Sequence, residues 1–177
     1  MDASDALTGL LTVLCLFNLV LTYGIVRRLR AMARARADSP ATVSGEVDDF
    51  TVTAASGARV SRAGLAPGTV LAFFSPGCPP CTALLPRFTE AVKDAGLPAE
   101  QVLAVVMPGE DADEARQYVR ELERVATVVA GDQARTVSEA CGVRGFPAVC
   151  AVDAGGRIHE MGGDLTALGA RRPAGVA

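Results

Sequence analysis

The chain has 177 residues, half of them hydrophobic, with 17 basic and 20 acidic side chains. That length holds one ordinary domain and an appendage. Five cysteines without regular spacing exclude a disulfide-built scaffold, and a single histidine, His159, excludes a His-rich metal site. Once the arginines that follow the first apolar run are set aside, the remainder is acidic, which excludes a nucleic-acid footprint.

The first element is the uncharged run Leu7 to Val26, LTGLLTVLCLFNLVLTYGIV. As a helix it rises about 30 Å, enough to cross a bilayer core. Asp2 and Asp5 precede it, and Arg27, Arg28, Arg30, Arg34 and Arg36 follow it. A cleaved signal peptide has positive charge ahead of its apolar run and a small-residue cleavage site behind it. Residues 1–26 therefore read as a retained single-pass anchor in the cell membrane, and residues 27–47 as an Arg/Ala-rich linker. The arginines behind the run, taken alone, put the following domain in the cytoplasm.

Residues 50–53 and 58–61 read as a short hairpin around Ala54 to Gly57. Thr69 to Ser75 is apolar almost throughout, the signature of a strand covered on both faces. Pro76 and Gly77 break it. A helix starts at Pro79, with Leu84, Leu85, Phe88, Ala91 and Val92 on one face, and ends near Gly96; Pro86 inside it predicts a kink. Val102 to Met107 is a second buried strand. Asp111 to Glu114 caps a helix whose apolar stripe runs through Tyr118, Val119, Leu122, Val125 and Ala126. Thr127 to Ala130 is a third strand and Arg135 to Cys141 a short helix. Ala148 to Val152 and Arg157 to Met161 form a closing hairpin, and Leu165 to Ala170 a final short helix. Strands alternating with helices imply crossovers and parallel pairing, and the closing hairpin adds antiparallel strands. The fold class is α/β, with a mixed central sheet flanked by helices and an N-terminal transmembrane helix.

The chemistry concentrates at Cys78-Pro79-Pro80-Cys81. Disulfides exchange by attack of a thiolate on sulfur. Cys78 stands at a strand-to-helix junction, where the positive end of the helix and its free N–H groups favour a thiolate, while the two prolines between the cysteines stiffen the turn and remove backbone donors that could otherwise stabilise the sulfur. Cys81, one turn further, reaches the same sulfur and closes a small ring. Cys78 is thus the candidate nucleophile and Cys81 the shielded resolving residue. Half a zinc site is the rival reading, but structural zinc needs four ligands, and Cys141 and Cys150, nine residues apart, do not form a second such pair. They read as buried, inert cysteines. No metal and no cofactor is expected. A proline at the opening of a strand, Pro147 in Val143-Arg144-Gly145-Phe146-Pro147, is the second motif.

Phe73-Phe74-Ser75-Pro76-Gly77-Cys78-Pro79-Pro80-Cys81, Leu84-Leu85-Pro86 and Gly145-Phe146-Pro147 together resemble the thioredoxin-like superfamily. Within it, the chain is most similar to the membrane-anchored TlpA-like thiol–disulfide proteins and the methylamine-utilisation protein D type. The resemblance implies a thioredoxin-like domain over residues 48–170, followed by a tail over residues 171–177. It implies that Pro147 is a cis-proline beside the cysteine pair and that the backbone of Phe146 binds an extended substrate segment. It also implies catalysis by Cys78 and Cys81 as a thiol–disulfide oxidoreductase. The partners would be cysteine-containing protein clients and an upstream thiol electron donor or acceptor. The family places such domains outside the cytoplasm, against the direction of the arginine signal. Three positions depart from the pattern. Gly77 stands where thioredoxins commonly carry Trp, and Ala72 and Leu84 stand where related proteins carry an acid that helps deprotonate the second cysteine. Ser75-Pro76-Gly77-Cys78 is similar to the TxxC of peroxiredoxins, although Leu71 replaces the upstream proline of that motif. Beside the exchanger stand two alternatives, a peroxiredoxin-like peroxidase and a non-catalytic anchored binding module that uses the same groove.

Overall fold

The computed structural model describes residues 7, 11–19, 21–24, 43, 45–161, 165 and 168. The chain divides into two compact units, Met1–Ser39 and Pro40–Ala177. In the first unit, residues 11–19 and 21–24 are helical, and their large apolar side chains are exposed, from Leu11 to Tyr23. No helix among the described residues is long and apolar enough to cross a membrane. The anchor expected over residues 1–26 lies partly outside the described residues.

The second unit is an α/β sandwich. Strand β1 (Thr51–Thr53) pairs antiparallel with β2 (Arg59–Ser61) as a separate two-stranded ribbon. Then come β3 (Val70–Phe74), α1 (Pro79–Ala95), β4 (Val102–Val106), α2 (Ala112–Leu122), β5 (Thr127–Ala130), α3 (Asp132–Ala140), β6 (Ala148–Val152) and β7 (Ile158–Glu160). The main sheet runs β5-β4-β3-β6-β7. Strands β3, β4 and β5 are parallel, and β6 and β7 join antiparallel, giving the mixed sheet expected from the element order.

Every residue of β3, β4 and β6 is buried, because both faces of the sheet are covered. Side chains alternate between two cores, as the two-residue period of a strand requires. Val70, Ala72 and Phe74 pack on one side with Phe88, Val92, Tyr118 and Leu122 of α1 and α2. Leu71 and Phe73 pack on the other with Val137 of α3 and Val52 of β1.

Three elements differ from their sequence reading. Val43 and Val47 are buried in the second core, Glu46 forms a bridge with Arg157, and Val47 N–H donates to the Gly156 carbonyl. The packed domain therefore begins upstream of residue 48: a short apolar residue every few positions suffices to dock a segment whose composition reads as linker. Pro86 lies inside α1, which continues on both sides of it. Thr89 Oγ1 donates to the Pro86 carbonyl at 2.8 Å. Helix α3 starts at Asp132, three residues earlier than the apolar pattern indicates. Of the final helix, only Leu165 and Leu168 are described, both buried in the first core. The rest of it and the tail lie outside the described residues.

Candidate active site

The site is built where β3 hands over to α1. The strand ends at Phe74, and Ser75-Pro76-Gly77 turns the chain. Gly77 has φ of +77°, the left-handed region that glycine enters without penalty from a Cβ. This accounts for the glycine directly before the first cysteine. Cys78 N–H donates to the Ser75 carbonyl at 3.3 Å, closing the turn. A second loop locks against it. A Cβ on Gly109, in the β4–α2 connection, would stand 2.7 Å from Pro76 Cβ, so only glycine fits there.

Cys78 is the N-cap of α1, with extended backbone, and prolines occupy the first two helical positions. Proline suits these positions because its missing N–H is not needed for the helical ladder. The carbonyl of Cys78 accepts from Cys81 N–H at 2.9 Å and from Thr82 N–H at 3.1 Å. The loss of backbone donors expected from the two prolines is thus visible at the start of α1. Pro79 and Pro80 have none, and the next two are engaged. Charge developing on Cys78 is met by the macrodipole of α1 rather than by direct backbone donors.

The two cysteines differ as an attacking and a resolving thiol should. Cys78 is partly exposed and Cys81 is fully buried. Cys81 Sγ accepts from Ser75 N–H at 3.4 Å. Burial pushes the Cys81 thiol up to about 12. The Ser75 N–H opposes this, while its hydrogen bond with Cys78 and the charges of Cys78 and Glu114 add to it. On the other side of the pair, the Cys78 thiol donates to the Phe146 carbonyl at 3.7 Å. The Phe146–Pro147 peptide bond is cis. Cys78, Cys81 and the Phe146-Pro147 loop are thus brought to one end of the sheet.

Cys141 and Cys150 are apart from this cluster, in the second core. The Cys141 thiol is pushed up to about 12 by burial, with Asp48 adding a smaller effect. His159 is exposed and lies 3.0 Å from Asp153 at the closing hairpin. Three polar residues beside the pair were not singled out by sequence reasoning: Thr82, Tyr118 and Glu114. Thr82 Oγ1 and the Tyr118 hydroxyl are 3.0 Å apart. A tyrosine within a buried apolar stripe must find a partner for its hydroxyl, and that rule could have flagged Tyr118.

Residues 43–161 match the model of the AhpC/TSA family. The chain belongs to the AhpC/TSA family. No curated protein sequence matches it. Among solved structures, this AhpC/TSA domain is similar to the exposed lipoprotein thioredoxin Etrx1 of Streptococcus pneumoniae, at 26% identity and a TM-score of 0.50, over 68% of this chain and 97% of that one. A secreted disulfide oxidoreductase of Mycobacterium tuberculosis matches at 22% identity and a TM-score of 0.54, over 68% and 94%. A thio-disulfide isomerase of Thermus thermophilus matches at 21% identity and a TM-score of 0.52, over 66% and 82%. The domain therefore has the thioredoxin-like fold of thiol–disulfide oxidoreductases, with a close cysteine pair at the position described.

Proposed function

We propose that this AhpC/TSA-family protein is a membrane-anchored thiol–disulfide oxidoreductase of the TlpA-like type, exchanging disulfides with protein clients through Cys78 and Cys81. The observation that carries the reading is the division within the pair: a partly exposed Cys78 at the N-cap of α1, and a buried Cys81 one turn on. The Cys78 thiolate attacks one sulfur of a client disulfide. A mixed disulfide forms through Cys78, and the client's other sulfur leaves as a thiolate. Cys81 then gives up its proton and attacks Cys78 Sγ. The Cys78–Cys81 disulfide forms, the client leaves with two reduced sulfurs, and the pair has been oxidised by two electrons. An upstream thiol donor returns them. The steps reverse when the pair starts oxidised. The carbonyl of Phe146, already 3.7 Å from Cys78 Sγ, is the backbone group against which an extended client segment pairs.

A peroxidase reading needs the Ser75 hydroxyl to serve the Cys78 sulfur. That hydroxyl instead donates to the Pro76 carbonyl at 3.5 Å, which favours the exchanger. Oxidation of the full-length protein, followed by alkylation and mass mapping, is expected to give a reversible disulfide between Cys78 and Cys81. A Cys141–Cys150 disulfide with Cys78 and Cys81 always alkylated would overturn the assignment.

The anchor rests on the uncharged run from Leu7 to Val26 and on the exposure of its described apolar side chains. Disulfide traffic is concentrated outside the cytoplasm, and we place the domain on that side. The protein is expected to stay in the membrane fraction after alkaline carbonate extraction, and Cys78 to react in intact cells with an impermeant maleimide. Labelling only after lysis would reverse the orientation.

A further inference from the structure

Helix α2 turns Tyr118 and Leu122 into the first core, and the face beside them carries Ala112, Ala115 and Val119. Residues three and four apart share a helix face. The connection Met107-Pro108-Gly109 runs past that face, and the two alanines are too short to fill the space between. A groove of about 430 Å³ remains, floored by Val106 and Met107 and closed by Ala130 and Gly131 at the end of β5. The described residues that line it include no carboxylate, and its two charged side chains, Arg116 and Arg120, are both cations on the α2 rim. Arg116 is paired with Asp113. Arg120 has no ion pair among the described residues. Its other flank borders Lys93 and Arg124, while Glu121 there accepts from Gln117 at 2.9 Å. In a domain whose overall balance is acidic, this rim is a local excess of positive charge.

The groove opens at the carboxyl ends of the parallel strands β4 and β5, the end of the sheet where open α/β folds bind ligands. Two contacts join it to the redox turn. Met107 N–H donates to the Phe74 carbonyl at 2.9 Å, and a Cβ on Gly109 would stand 2.7 Å from Pro76 Cβ. Pro76 is two residues from Cys78, at most about 8 Å of chain. The Phe146-Pro147 loop meets Cys78 from the β6 side of β3, and the groove lies on the β4 side. A chain joined to Cys78 and paired with Phe146 therefore has the groove ahead of it, about three extended residues from its cysteine at about 3.3 Å each. A second copy of the protein is a poorer occupant. Eleven residues line the groove, against about 20–30 on each side of a stable interface.

We propose that this groove is a specificity subsite for the client polypeptide: it takes an apolar side chain about three residues from the client's cysteine, with a carboxylate on the next residue meeting Arg120. The proposal rests on the exchanger reading and names the class of client which that reading leaves open, segments that carry a cysteine, an apolar residue and an acidic residue at close spacing. The apolar side chain supplies most of the attraction by leaving water. The carboxylate selects among apolar segments, because a basic residue at the same place meets Arg120 with like charge.

The test uses the full-length protein in phosphatidylcholine nanodiscs, with Cys15→Ala to remove the exposed cysteine of the N-terminal unit. The reduced protein is mixed with disulfide-linked homodimers of nine-residue peptides, and the peptide thiol formed is followed by acid quench and chromatography. Each peptide has one cysteine, with Leu-Asp, Leu-Lys, Ser-Asp or Ser-Lys three and four residues away, in one set on its N-terminal side and in another on its C-terminal side. Every rate is divided by that of the same variant with hydroxyethyl disulfide, which is neutral and too small to reach the groove, so changes at Cys78 itself cancel. In one of the two sets the Leu-Asp peptide is expected to react about 10-fold faster than Ser-Lys and about 3-fold faster than Leu-Lys. Arg120→Glu should invert the order of Leu-Asp and Leu-Lys, and Arg120→Lys should restore it. Ala112→Glu places a carboxylate in the groove at a first-turn position that favours one, and should also abolish the preference for Leu-Asp over Leu-Lys. Equal rates for all four peptides in both sets would overturn the proposal and leave the exchanger reading standing. So would a preference that Arg120→Glu and Ala112→Glu leave unchanged within twofold. Failure of hydroxyethyl disulfide and every peptide alike to oxidise the pair would overturn both.

Discussion

Cys81→Ser is expected to convert the protein into a trap. The attacking sulfur of Cys78 stays partly exposed at the N-cap of α1, but nothing remains to attack it once a client is attached. Mixed disulfides through Cys78 should accumulate and survive non-reducing electrophoresis. Cys78→Ser should trap almost nothing, for two reasons. The remaining thiol is fully buried, and that burial, the largest effect on it and one that survives the loss of Cys78, holds it above the ordinary thiol range. Exchange by that variant should be at least about a thousandfold slower than in the native protein, and it should quicken as pH rises toward Cys81's own range, because ionisation increases tenfold per pH unit there. The same pair of variants separates the exchanger from a non-catalytic binding module, which would hold its partner without a covalent bond in both. Trapping through Cys81, or equal trapping by both variants, would show that the nucleophile is wrongly assigned.

Phe88→Ala is expected to be the most destabilising single truncation in the described core. Phe88 is fully buried on the inner face of α1, and its ring meets Phe74 edge-on with centroids 5.6 Å apart. Phe74 in turn meets Tyr118, so one aromatic row links α1, the central strand and α2. Removing the α1 end of that row loses the burial of the ring and leaves a cavity. The cost is about 3–5 kcal/mol, against a total of about 5–15 kcal/mol for a typical domain. The denaturant midpoint, followed by circular dichroism, should fall accordingly. Disulfide mapping of whatever remains folded should still find Cys78 joined to Cys81. A loss below about 1 kcal/mol would mean that the α1–α2 face packs differently from the row described.

Much of this arrangement was legible in the residues, for reasons that differ from element to element. The all-apolar runs around Leu71 and Leu103 announce strands covered on both faces, because each is bounded by turn residues and too short for a buried helix. Asp111 caps α2 as its position indicates, its carboxylate accepting from Asp113 N–H at 2.8 Å. The cysteine pair could be set at a helix start because Pro76-Gly77 ends the strand and Pro79 suits the first helical turn. What escaped notice depends on contacts between elements distant in sequence. Val43 and Val47 look like linker until β7 and α3 offer them a surface. Tyr118 reads as one more apolar stripe residue until the crossing of α1 and α2 puts Thr82 opposite its hydroxyl. That the two prolines strip backbone donors from the helix start was legible too, because proline has no N–H whatever its surroundings.

Strand β3 has a ladder on each side, parallel with β4 and antiparallel with β6, while β5 and β7 form the margins of the sheet. Amide exchange in such a sheet proceeds from its margins inward, since marginal strands part from one neighbour where a central strand must part from two. The turn bearing Cys78 is mounted on the strand that opens last. A molecule breathing at its periphery, with β7 momentarily undocked, still carries its redox centre intact, so wear at the rim and loss of chemistry are separate events on separate clocks.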